Sequence, residues 1–176
     1  MNRRHLLALL SVGGVAALGG GFWALPTGPA PAALSLEGAQ QVLAGLVGRE
    51  LVSSKGWSPA EVFNHCAQSV EYSLDGFPEL KPAWFRESVG PLAFSVFAAR
   101  GAMRHSLIEP IPGAAPLAEP ASTDAAIARL QQSLQRFAAH TEALQPHFAY
   151  GLLSPEDYAQ AHVMHLYNHL SLIRVA

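Results

Sequence analysis

The chain has 176 residues, room for one domain and rarely two, and half of them are hydrophobic against 14% charged; this supports a packed core and excludes a disordered chain. The formal net charge is −2, and with no basic face or Lys/Arg run a nucleic-acid partner is not expected. Cys66 is the only cysteine, which excludes an intramolecular disulfide and a cysteine-based zinc cage.

The first residues read as an address. Arg3 and Arg4 precede an apolar, Gly-rich stretch over 6–25, and Pro26-Thr27-Gly28-Pro29-Ala30-Pro31-Ala32 follows. Positive start, apolar middle and small-residue exit are the order of a secretory signal. The paired arginines before His5-Leu6-Leu7, and the glycines at 13, 14, 19, 20 and 21, resemble a twin-arginine-type signal. The predicted organisation is therefore a signal over 1–32, with cleavage before Ala33, and one domain over 33–176. Its removal leaves 9 basic against 13 acidic residues, a net −4. The expected location is the periplasm, reached through the twin-arginine export machinery, whose substrates cross folded and often with cofactor loaded. The alternative is a membrane anchor through residues 6–25, since that run approaches the ~20 residues that span a bilayer.

From Leu34 onward the apolar period is helical throughout. Ser35–Val47 is predicted as a first helix, closed by Gly48 and the Ser53-Ser54-Lys55-Gly56 turn. Ser58-Pro59-Ala60-Glu61 combines a cap, a proline in the first turn and a capping-box acid. The helix it starts runs to about Leu74, with Val62, Cys66, Val70 and Leu74 as its apolar row. A softer helical stretch spans Ala83 to about Ser106, interrupted at Gly90-Pro91 and Gly101; prolines 110, 112, 116 and 120 then make a loop. Ser122-Thr123-Asp124 starts a helix whose apolar positions, Ile127 to Leu144, alternate gaps of three and four until Pro146. Ser154-Pro155 starts the last helix, predicted to reach Arg174.

Five of the 8 histidines fall between His140 and His169. At ~100° per residue, His165 and His169 lie about 40° apart and one turn from each other, so their imidazoles can share one ion. His65, in the middle of the Ser58 helix, is the candidate third ligand. Spacing alone equally suits neutral, partly solvated histidines, because on both helices they stand about 100° from the apolar row. His162 is either a fourth ligand, an outer-shell donor or an ordinary helix histidine. Glu61 is placed either to orient His65 or to complete the cap. Cys66 reads as a small core residue, and His105, His140 and His147 have no partner at metal spacing.

Trp57-Ser58-Pro59-Ala60-Glu61-Val62-Phe63-Asn64-His65-Cys66-Ala67-Gln68-Ser69 is similar to the first histidine helix of DinB-like proteins. Pro146–Glu156 resembles the segment before the last helix in an uncharacterised branch of that superfamily, and His165-Leu166-Tyr167-Asn168-His169-Leu170 its terminal histidine pair. Asn168-His169 stands where the branch often has a double histidine, and Ser171-Leu172 where Gln-Phe commonly follows. The resemblance implies an all-α fold: a DinB-like four-helix bundle with a long connection between the second and third bundle helices. It also implies a divalent metal (Zn, Ni or Fe) held by a histidine triad of His65, His165 and His169.

The expected function is an exported, divalent-metal-binding domain: a metal-dependent thiol transferase or hydrolase-type enzyme acting on a small-molecule substrate of unspecified class. The alternative is a non-catalytic exported domain that binds a metal or a small ligand. A second copy of the chain, in a homodimer, is one further option as partner.

Overall fold

The computed structural model describes residues 34–117 and 122–176; the leader, with its reading as a signal or anchor, lies outside them. Ser35 caps α1 (Leu36–Leu46), its hydroxyl accepting from the Gly38 amide. A short strand, β1 (Leu51–Ser53), follows. Helix α2 (Pro59–Asp75) starts with the full capping box: Ser58 Oγ accepts from the Glu61 amide, and the Glu61 carboxylate accepts from the Ser58 amide. A π-helical turn (Phe85–Val89) runs into α3 (Gly90–Arg100), which Gly101 closes at φ 62°. Ser122 caps α4 (Thr123–Ala138) and Ser154 caps α5 (Pro155–Leu170). Strand β2 (Ile173–Val175) pairs antiparallel with β1, Leu51 opposite Val175 and Ser53 opposite Ile173.

The expected all-α, DinB-like four-helix bundle is corrected by this architecture. Five α-helices and a two-stranded sheet are present among the described residues. The connection between the second and third bundle helices carries α3, inside the softer helical stretch expected from Ala83 to about Ser106, and α3 packs against α5 over a small core of its own: Phe94, Met103, Ala161 and Met164. The last helix stops at Leu170 because the next residues join β1, where Ile173 and Val175 suit a pleated strand. Three-residue strands are too short to show a period of two, and their pairing spans most of the chain. Helix α4 likewise ends at Ala138, before Thr141 and Leu144, which continue the apolar spacing without continuing the helix.

Helix α2 is the centre of the fold. Every residue from Val62 to Val70 is buried, so it is covered around its whole circumference. That explains how His65, well off the apolar row, is nevertheless inside. On one side α4 supplies Ile127, Leu130, Leu134 and Phe137 to the main core. Arg129 grips Glu71 at 2.6 and 3.0 Å, and Arg136 grips Asp75 at 2.6 and 3.0 Å. The order of these pairs makes α2 and α4 parallel, which is why a long connection separates them. The half-exposed Arg136–Asp75 clamp orients the helices more than it stabilises them. On the other side α5 runs antiparallel to α2, Ser73 facing His162 and His65 facing His165.

One close approach shapes the region beside these helices. Gly90, at the start of α3, abuts the Ala149 carbonyl so tightly that a Cβ would overlap it. Ala149 belongs to the turn closed by reciprocal His147–Gly151 backbone hydrogen bonds of 2.8 and 3.2 Å. Only glycine permits this contact between backbones.

Candidate metal centre

The antiparallel packing of α2 on α5 brings His65, His165 and His169 together: one ring nitrogen of each lies within 4.8 Å of the others. His65 Nε2 and His165 Nε2 are 3.2 Å apart, and the ring centroids stand 4.8–5.0 Å from one another. The indole of Trp57, just before the α2 cap, covers the cluster, 4.8 Å from His65 and nearly parallel to His169 at 6.2 Å.

The donor set fits a divalent ion. Metal–nitrogen bonds of about 2.0–2.1 Å place neighbouring ligand nitrogens about 3.0–3.4 Å apart, for octahedral to tetrahedral angles. The 3.2 Å contact has that length, although an N–H···N bond between neutral imidazoles would also have it. His169 favours the ion. It is fully buried, and both its nitrogens, with His65 Nδ1, lack a hydrogen-bond partner. Buried polar atoms are normally paired, and an ion could take one nitrogen of the unpaired His169 ring, which therefore suits a ligand position.

Burial keeps these rings neutral, the form that ligates. It pushes His65 down to about 4, with His105 adding repulsion. It pushes His169 down to about 2, with His65 and His105 adding to the effect. His165 is held well below the ordinary imidazole range, by burial first and then by its histidine neighbours. Among the described residues no carboxylate belongs to the group, so a bound ion would keep its full charge and favour an anionic ligand.

A cavity of about 270 Å³ adjoins the cluster, with His65, His105, His165, His147 and Tyr150 in its wall and Lys81 and Glu109 also lining it. His147 faces it with a fixed tautomer. Its Nδ1 accepts from the Ala149 and Tyr150 amides, both at 3.1 Å, so the proton resides on Nε2. The wall thus carries a preset N–H donor.

The remaining sequence candidates resolve differently. Glu61 is engaged in the cap, with Ser58 Oγ donating to its carboxylate at 2.8 Å, and does not orient His65. His162 is buried outside the cluster. The Ser73 hydroxyl donates to the Val70 carbonyl and therefore accepts from His162 Nε2–H at 3.1 Å. Cys66 lies in the main core, where burial pushes its thiol up. The spacing argument passed over His105, whose ring is 4.9 Å from His165 and 5.1 Å from His169. It lies on a loop, where no helical period flags it. Trp57 carried no metal signal of its own.

Residues 33–175 match the model of a family described as "Protein of unknown function (DUF1569)". No curated protein and no solved structure matches the chain.

Proposed function

The chain belongs to the DUF1569 family, and from that premise and the site geometry we propose that it binds one divalent transition-metal ion through His65, His165 and His169 and acts on a small molecule held in the adjoining cavity. The carrying observation is the trio of imidazoles with ligand atoms within 4.8 Å, together with the orphaned nitrogens of buried His169. The resemblance of residues 57–69 and 165–170 to the histidine motifs of DinB-like proteins supports the same ligands, and kinship with that superfamily is part of the proposal. Three neutral imidazoles suit Zn, Ni or Fe. A bound ion would supply Lewis acidity toward a coordinated water or thiol. The protein's own part is to exclude bulk water with Trp57, to hold the ligand rings neutral by burial, and to offer the His147 Nε2–H to an acceptor on the bound molecule.

The test is elemental analysis of untagged protein beside its His65→Ala variant. One ion per chain in the parent and loss of that ion in the variant are expected. Stoichiometric metal that survives His65→Ala would show that the ligand set is wrong. A second reading, metal-anchored binding without turnover, draws on the wall: among the described residues Glu109 is the sole carboxylate lining the cavity, and no acid joins the histidines. Turnover of a thiol and an electrophile by the loaded protein separates the two readings.

Export is proposed alongside, on Arg3-Arg4 and the apolar run that follows them. The double variant Arg3→Lys, Arg4→Lys is expected to block it. Unchanged periplasmic yield would refute the twin-arginine reading.

A further inference from the structure

We propose that His105 is a fourth, loop-borne ligand to the ion held by His65, His165 and His169, one that an incoming small molecule displaces. This inference rests on the three-histidine reading and extends it from an open site to one that the protein itself closes.

Three features of His105 carry it. The first is position. Its ring stands 4.9 and 5.1 Å from those of His165 and His169, close to the 4.8–5.0 Å that the rings of His65, His165 and His169 keep among themselves. The second is its tautomer. His105 Nδ1 lies 2.6 Å from the Ser106 carbonyl oxygen, and a carbonyl only accepts, so the proton sits on Nδ1. Nε2 is left with a lone pair. A ligating histidine is typically arranged in this way, its second nitrogen donating to a carbonyl that fixes the ring. The third is its setting. Met103 is buried in the small core beneath α3, and Ile111 is buried in the main core, so the loop between them is tethered at both ends. His105 itself is exposed. It also lines two hollows at once, the cavity of about 270 Å³ and a second of about 830 Å³.

These features assign different jobs to the four rings. His65 and His169 are buried and His165 half-buried, on two helices locked in the core. They are permanent ligands. His105 is a side chain with solvent on one side and a cavity on the other, and the compact group of ligand atoms is complete without it. A small shift of this exposed loop side chain would bring Nε2 to an ion held by the triad, and its withdrawal would free the position. Exchange would balance, one metal–nitrogen bond giving way to one bond from the incoming donor atom with no change in oxidation state. A four-nitrogen set is the closed arrangement of structural zinc sites, and a three-nitrogen set leaves the position that catalytic sites keep open.

X-ray absorption of the full-length, untagged, zinc-loaded protein tests this by counting imidazoles around the ion. Four are expected in the parent and three in His105→Ala, with a light oxygen scatterer replacing the fourth. His140→Ala, outside the cluster, is expected to keep four. Added imidazole is expected to restore the four-nitrogen signal in His105→Ala by entering the gap. Because His105 is exposed on a loop, its removal leaves the core intact, which far-ultraviolet circular dichroism checks. Three imidazoles in the parent and an unchanged spectrum in His105→Ala would overturn the fourth ligand and leave the triad standing. Failure of the parent to bind zinc stoichiometrically would overturn both.

Discussion

Replacing His169 by leucine is expected to stabilise the metal-free protein and to destabilise the zinc-loaded one relative to the parent. His169 is fully buried, and neither of its nitrogens has a hydrogen-bond partner. An unsatisfied buried polar atom costs roughly 1–3 kcal/mol, whereas an apolar group of similar shape does not carry that penalty. Against this stands the loss of the ring contacts with Trp57, His65, His105 and His165, worth about 0.5 kcal/mol each where the pair is tilted and not ideally formed. With both nitrogens unpaired, the balance favours leucine by about 1 kcal/mol in chelator, a rise of roughly 2–4 °C in Tm for a chain of this size. Zinc at a hundredfold excess over its Kd stabilises the parent by about 2.7 kcal/mol. The variant, with a ligand missing, gains less, so the order of the two melting temperatures reverses. Differential scanning calorimetry with EDTA and then with zinc reads both limbs. Destabilisation of His169→Leu by about 2 kcal/mol or more in chelator, the cost of an ordinary core disruption, would refute the reasoning. Equal shifts by zinc in parent and variant would refute it as well.

Gly90→Ala is expected to destabilise the fold by more than about 2 kcal/mol, since its Cβ would overlap the Ala149 carbonyl; a urea midpoint within error of the parent would show that α3 and the 147–151 turn can separate freely. Burial pushes His147 and His162 down to about 3, below the ordinary imidazole value of about 6.5 that they recover on unfolding. Their contribution is therefore fully present above about pH 6.5 and is lost as pH falls toward 3, at about 1.4 kcal/mol per pH unit for each group. His147→Asn keeps an acceptor for the two backbone amides and removes one titrating group; urea unfolding between pH 6 and 4 is expected to show a shallower acid limb, and identical slopes would count against buried neutral His147. Cys66 is buried in the main core with its thiol held up; it is expected to resist Ellman's reagent in buffer and to react once the chain is unfolded in urea. Rapid labelling of the folded protein would contradict its place in the core.

Much of the fold was legible because helix starts are local events. Ser58, Ser122 and Ser154 each cap a helix within three residues of themselves, so the signal and the structure it specifies share one short window. The same locality put His165 and His169 on one face, since the helix itself sets their separation. Helix ends were less legible. The apolar spacing through Thr141 and Leu144 outlasts α4: Thr141 is exposed, and Leu144 packs from a loop whose Gln145 carbonyl accepts from the Tyr158 hydroxyl.

The sequence by itself therefore determined the capped helices, the terminal histidine pair and, by resemblance to a known motif, the choice of His65. Tertiary structure decided what depends on partners distant in the chain. It added the β1–β2 pairing across more than a hundred residues, the packing of the connection's helix against α5, and the parallel alignment of α2 with α4. It also converted His65 from a polar-edge residue into a buried one, because α2 is enclosed on all sides. And it placed His105 beside the cluster from a loop with no period to read. The physical reason is common to all of these: hydrogen bonds and caps within one turn are written in neighbouring residues, whereas burial and long-range proximity exist only once separate elements have packed.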